Sequence, residues 1–272
     1  MSEKKQVAQQ LKTSAVTKNS WRSLRQFTDA RIAQGRAGVS VPTEALLAFQ
    51  LDHAKAQDAV HLPLDCAKLG TELSTLCGVK EPTLPMILHS QAEGRDQYLQ
   101  RPDLGRCLST QSQQRLQVLQ AHTLAMHDLA VVVVDGLSSL AVSRHAQPII
   151  KALYEQLQVD EQDWQLAPLT IVEQGRVAVG DEVGALLNAR AVLVLIGERP
   201  GLSSPDSLGL YLTWAPEPGL HDARRNCISN VRAAGLSYGE AVSKLLYLLH
   251  ESRRRQLSGV DLKERAESIV LP

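Results

Sequence analysis

The sequence predicts an α/β fold, a mostly parallel Rossmann-like sheet flanked by helices and preceded by an N-terminal helical layer. Three observations carry this. Short β-branched apolar runs at residues 131–134 and 191–196 have the length and composition of strands covered on both faces. Each run ends in turn chemistry, Asp135-Gly136-Leu137-Ser138 after the first and Gly197 to Gly201, with Pro200, after the second. Stretches with helical spacing alternate with the runs, the pattern of right-handed βα units.

The elements follow in order. Residues 1–20 are polar and Lys-rich, with Val7, Leu11 and Val16 widely spaced, and read as a flexible arm. From 21 to 34, Trp21, Leu24, Phe27 and Ile32 fall near helical spacing, and Gly35 is a natural stop. Thr43 is a candidate N-cap for a helix reaching about residue 60, with Leu46, Leu47, Leu51 and Ala54 near one face. Between these helices, Gly35-Arg36-Ala37-Gly38 fits a turn first and an anion contact second. Residues 62–91 carry Pro63, Pro82 and Pro85 and read as irregular connections around a helix at 65–77. Residues 99–106 turn about Pro102-Asp103 and lead into a helix at 112–122. Arg101, Asp103 and Arg106 can form an ion-pair cluster, a structural or inter-subunit brace by the first reading and a phosphate contact by the second.

Beyond Ala130 the βα rhythm sets in. Strand 131–134 leads to a helix at 148–157 with Pro148 in its first turn, then to strand 169–172 and a short helix at 181–187. Strands 191–196 and 208–213 and an amphipathic helix at 238–253 close the pattern. The predicted organisation is an arm (1–20), a helical region (21–128) and a Rossmann-like domain (129–272).

Composition narrows the function. The 272 residues, 44% of them hydrophobic, suffice for one large domain and a smaller region. Lys plus Arg and Asp plus Glu both number 29, so the net charge is zero, and aromatic residues are 4% of the chain. Neither a basic footprint nor stacking platforms for nucleic acid are present. The longest apolar run is far too short to span a bilayer, and the N-terminus lacks a signal-peptide layout, so the expectation is a cytoplasmic protein without a membrane anchor. Cys66, Cys77, Cys107 and Cys227 have neither C-x-x-C nor regular spacing, which argues against structural zinc and a disulfide framework. His122 and His127 are five apart and not on one helical face, and His145 and His221 lack acidic partners at ligand spacing, so a metal site is not expected. Neither G-x-G-x-x-G nor a Walker loop occurs.

Two carboxylates stand at predicted strand ends, Asp135 and Glu198, where ligands of open α/β sheets bind. For Asp135 the readings are a turn-stabilising or N-cap acceptor and a ligand contact. For Glu198 they are a surface pair with Arg199 and an acceptor for ligand hydroxyl groups. Cys227 sits in the polar run Arg225-Asn226-Cys227-Ile228-Ser229-Asn230. His221 is near in sequence, but no third orienting group is evident, so a nucleophilic role is poorly supported. Val177 reads by itself as an ordinary turn residue.

Several words of the sequence are distinctive together: Ala30-Arg31-Ile32 with Gly35-Arg36-Ala37-Gly38, Pro42 to Leu47, Tyr98-Leu99 with Arg101 to Arg106, Asp135-Gly136-Leu137-Ser138, Gly197 to Leu202, and Asn226 to Asn230. In these words and their order the chain resembles the small (light) subunit of ethanolamine ammonia-lyase from about Leu24 onward. Departures lie in the arm before Trp21 and over residues 66–91. The resemblance implies a chain inactive alone, joined to a large subunit that holds the substrate and the radical chemistry converting ethanolamine to acetaldehyde and ammonia. It implies adenosylcobalamin between the two chains, retaining its own base as lower cobalt ligand. It places cobalamin contacts at Val177, Glu198 and Cys227. In some relatives an N-terminal arm addresses the enzyme to a bacterial microcompartment; this arm is short and poorly amphipathic, and that location stays open. The rival readings are a stand-alone nucleotide-binding module with Glu198 on a ribose diol, and a purely structural assembly subunit.

Overall fold

The computed structural model describes residues 15–76, 84–122 and 125–263, which fall into two compact units divided between Ala56 and Gln57. Most of the expected arm and the end of the helix expected at 65–77 lie outside the described residues.

In the first unit Thr17 and Arg36 exchange backbone hydrogen bonds of 2.8 and 3.0 Å, and Gly35 takes a left-handed φ of 81°. The glycine loop is therefore a turn, as its first reading held. The helix expected over 21–34 is not formed. A 3₁₀ stretch, Ser20–Gln26, capped by the Asn19 side chain, takes its place. Helical spacing stabilises a helix only where its apolar face is buried, and here Trp21 and Phe27 are 67% and 79% exposed. Helix α1 (Thr43–His61) begins in this unit and runs into the next.

The second unit holds a six-stranded sheet in the order β1-β3-β2-β4-β5-β6. Its strands are β1 (Met86–His89), β2 (His127–Val134), β3 (Thr170–Glu173), β4 (Ala189–Gly197), β5 (Leu208–Trp214) and β6 (Arg225–Val231). The first four pair parallel, and β5 and β6 join antiparallel. The sheet is thus mostly parallel, as expected. Strand β1 lies in the stretch read as irregular connections. It is only four residues long, and Pro85 precedes it. Strand β6 appears in the sequence only as a polar run, because an edge strand with one exposed face lacks the continuous apolar signature of β2 and β4.

Side chains alternate across the central strands and feed two cores. Val131, Val133, Leu193 and Leu195 face α2 (Cys66–Ser74), α5 (Ser139–Val159) and α7 (Tyr238–Arg255). Ala130, Val132, Val192 and Val194 face α4 (Thr110–His122) and α6 (Val179–Leu186). A short α3 (Arg95–Gln100) precedes α4. Helix α5 corrects the expected start at Pro148. It begins at Ser139, N-capped by the Ser138 side chain, and carries Pro148 inside it. An internal proline costs about 3 kcal/mol, but Val142, Ala146, Ile149, Ile150 and Leu153 continue one buried face through it, and this packing outweighs the lost hydrogen bond.

The path of the chain sets the place for a site. From β2 it crosses by α5 on one face to β3; from β3 it crosses by α6 on the opposite face, over β2, to β4. The two connections diverge about β2, and a crevice forms outside the carboxyl ends of strands at such a point.

Candidate ligand-binding cleft

A cleft of about 750 Å³ opens there. Leu137, Val177 and Glu198 reach it from the turns after β2, β3 and β4, and Tyr211 and Cys227 extend it along one face of β5 and β6. Tyr211 and Cys227 are register partners on the two strands. Tyr98 and Arg106 line it from the segment around α3. Val177, Glu198 and Cys227, distant in sequence, therefore border one space.

The two strand-end carboxylates have different surroundings. Asp135 is 3% exposed. It accepts hydrogen bonds from the backbone N–H groups of Gly136 (2.8 Å), Gln174 (2.9 Å) and Gly175 (3.1 Å), with Arg95 at 3.8 Å. Burial pushes its pKa up to about 6, against the pull of those amides and Arg95. Asp135 ties the turn after β2 to the turn after β3. The turn-acceptor reading holds, but the N-cap of α5 is Ser138, and Asp135 is not among the cleft-lining residues.

Glu198 accepts side-chain hydroxyl groups instead. Ser207 and Ser229 (2.5 Å) donate to its two oxygens, and the Asn230 N–H approaches at 3.4 Å. The expected surface pair with Arg199 is not formed among the described ion pairs. Serine hydroxyls rotate freely, so the carboxylate can exchange them for ligand donors at little cost. Its loop is anchored from behind: Ser138 Oγ donates to the Pro205 carbonyl (2.7 Å), and Arg144 pairs with Asp206 (2.9 Å). The turns after β2 and β4 touch, since a side chain on Gly197 would overlap the backbone of Ser138 and Asp135.

Cys227 is exposed and unpaired. Burial of the thiol raises its pKa, the Tyr211 hydroxyl opposes this, and the Glu198 carboxylate adds to it. It stays protonated at neutral pH, a poor nucleophile, and can serve as a contact surface. Burial likewise raises the pKa of Tyr211, reinforced by the thiol.

Arg176 and Arg225 are the part of the site that the sequence reading does not mark. Arg225, 8% exposed, pairs with Asp181 and, at 2.6 Å, with Asp222. Burial pushes Asp181 up while Arg225 pulls it down. Arg176 stacks on Tyr98, 4.1 Å from the ring centroid. Arg176 adjoins Val177 and Arg225 opens the polar run of Cys227, but no motif separates a cleft arginine from a surface one. Of the Arg101-Asp103-Arg106 group, Arg101 and Asp103 form an exposed pair at 2.6 Å, while Arg106 lines the cleft. Among the described residues no group of three His, Cys, Asp or Glu side chains could hold a metal ion, and no helix is long and apolar enough to cross a membrane.

The family model of the ethanolamine ammonia-lyase light chain matches residues 18–263. The chain belongs to this family. Ethanolamine ammonia-lyase small subunits of Pseudomonas fluorescens (strain Pf0-1) and Ralstonia nicotianae are each 58% identical to it, over 92% and 95% of this chain and 88% and 93% of theirs. That of Azotobacter vinelandii is 57% identical, over 93% of this chain and 92% of its own. The match of the family spans both units and every strand of the sheet.

Proposed function

We propose that this chain is the small subunit of an adenosylcobalamin-dependent ethanolamine ammonia-lyase, active only with its large subunit, and that its cleft forms part of the cobalamin site. The observation that carries the reading is the convergence of Val177, Glu198 and Cys227 on one cleft at the carboxyl edge of the sheet. The lining also suits the group chemically. Leu137, Val177 and Ile196 offer apolar surface, Glu198 accepts hydroxyl or amide donors, and the arginines offer donors to acceptor oxygens.

When bound, adenosylcobalamin supplies the homolytic cobalt–carbon chemistry that begins the reaction. This chain's residues hold and orient. Glu198 fixes polar groups through hydrogen bonds now made by Ser207 and Ser229, Val177 and Cys227 supply contact surface, and the anchored loop of residues 198–207 keeps Glu198 in place. We place the working enzyme in the cytoplasm; residence in a microcompartment is a separate matter of targeting.

The test is ammonia release from ethanolamine by this chain mixed with its large subunit, with each component alone and without adenosylcobalamin as controls. Activity only in the full mixture is expected. A soluble complex that binds adenosylcobalamin but releases no ammonia overturns the substrate assignment, and one that binds none overturns the cofactor assignment. Tight ligand binding by the chain alone would favour a stand-alone module.

A further inference from the structure

Arg176 and Arg225 both line the cleft, and the fold treats them differently. The Arg225 side chain is 3% exposed and neutralised by Asp181 and Asp222. Arg176 has no carboxylate at ion-pair distance among the described residues. Its Nη2 donates to the Tyr98 carbonyl at 3.2 Å, and its Nε, like that of the ion-paired Arg225, is buried without a hydrogen-bond partner. A buried guanidinium N–H without an acceptor is unfavourable, and such groups point to an absent partner.

The surroundings fit this side chain closely. The Arg176 N–H donates to the Gly105 carbonyl at 2.7 Å. A Cβ on Gly105 would lie 3.0 Å from Arg176 Cγ and 3.1 Å from Tyr98 Cδ2. Stacking on Tyr98 fixes the plane of the guanidinium, so its fork is oriented before any ligand arrives. The segment that supplies Gly105 also brings Arg106 to the cleft, where, among the described residues, exposed Asp222 at 3.8 Å is its carboxylate within ion-pair distance. Arg176 and the loosely paired Arg106 thus share the cleft with the hydroxyl-bound Glu198, and exposed Arg199 also lines it.

We propose that Arg176, assisted by Arg106, is an anion subsite built to take a phosphodiester. Resting on the cofactor reading above, the phosphodiester is that of the cobalamin nucleotide tail. A planar, stacked guanidinium donating two hydrogen bonds to phosphate oxygens is the geometry that favours arginine over lysine at such sites.

The assembled complex of both subunits tests this by spectroscopic titration with cyanocobalamin and with dicyanocobinamide, a corrinoid that lacks the phosphate, ribose and base. Arg176→Met is expected to weaken cyanocobalamin binding by about ten- to a hundredfold while cobinamide binding stays within about twofold. Arg176→Lys, which keeps the charge without the fork and disturbs packing less, falls between. Equal losses for both corrinoids, or a loss for neither, overturn the subsite, and thermal melts identify a variant that fails by unfolding. If the wild-type complex binds neither corrinoid, the cofactor reading fails separately. The anion subsite then stands or falls on inorganic phosphate: binding heat present in the wild-type complex and lost in Arg176→Lys supports it, and equal heats in both overturn it.

Discussion

Asp135 and Glu198 end neighbouring parallel strands, and their turns touch, yet one carboxylate is a latch and the other borders the cleft. Asp135 is buried beneath three backbone amides that donate to it. Glu198 meets serine hydroxyls at the open side of β5 and β6. The difference shows that a strand-end carboxylate becomes structural when fixed main-chain donors converge on it, and stays available when its donors can rotate away. Position at the sheet edge is common to both and decides nothing.

The contrast can be broken at its strong side first. Asp135→Ala strands three amide donors and the Arg95 charge, and is expected to cost about 3–5 kcal/mol of folding stability, measured by urea unfolding. A pH series sharpens the same point. Burial raises the Asp135 carboxyl from 3.8 to about 6. Between these values the folded state keeps a proton that the unfolded chain has released, so the stability from this group falls as pH rises through the window. Relative to Asp135→Asn, which does not titrate, the wild type should lose up to about 3 kcal/mol between about pH 4 and pH 6. A flat difference across the series would show that the amides and Arg95 offset burial in full.

Gly197→Ala joins the two regions. It forces apart the turns that carry the latch and the cleft, and an overpacking cost of about 1–3 kcal/mol is expected together with weaker cofactor binding. Loss of stability with intact binding would separate the two turns functionally. Glu198→Gln should leave stability within about 1 kcal/mol, because the amide can still meet both serines, while cofactor affinity falls roughly tenfold. Unchanged affinity by equilibrium titration would remove Glu198 from the site. The smallest effect belongs to Cys227→Ser, for which turnover at saturating cofactor should stay within about twofold, the size of a ±0.5 kcal/mol change. Complete loss there would give the thiol a chemical role.

Much of the fold is legible because local rules and burial agree. Strands β2 and β4 are continuous β-branched runs, α7 carries a Ser237–Glu240 capping box, and the turns after β2 and β4 are marked by glycine. Where local rules meet packing they give way. Pro148 marks a helix start by local preference, but the buried face from Val142 to Leu153 carries α5 through it. Trp21, Leu24 and Phe27 have helical spacing and no buried surface to hold it. In the cleft, Glu198 is marked by its strand and Cys227 by its polar run, whereas Val177 is marked by family resemblance alone, Tyr98 stands in a family word without a role, and nothing in the local sequence marks Arg176.

The sequence by itself determined the parallel core, the two strand-end turns and the family, since these depend on residue type and near-neighbour order. Tertiary structure alone decided which carboxylate meets rotatable donors, which cleft arginine has no carboxylate at ion-pair distance among the described residues, and that residues after β3, after β4 and on β6 border one space. Those outcomes depend on distances between segments far apart in the chain, and hydrogen bonds and charge pairs act only over a few ångströms.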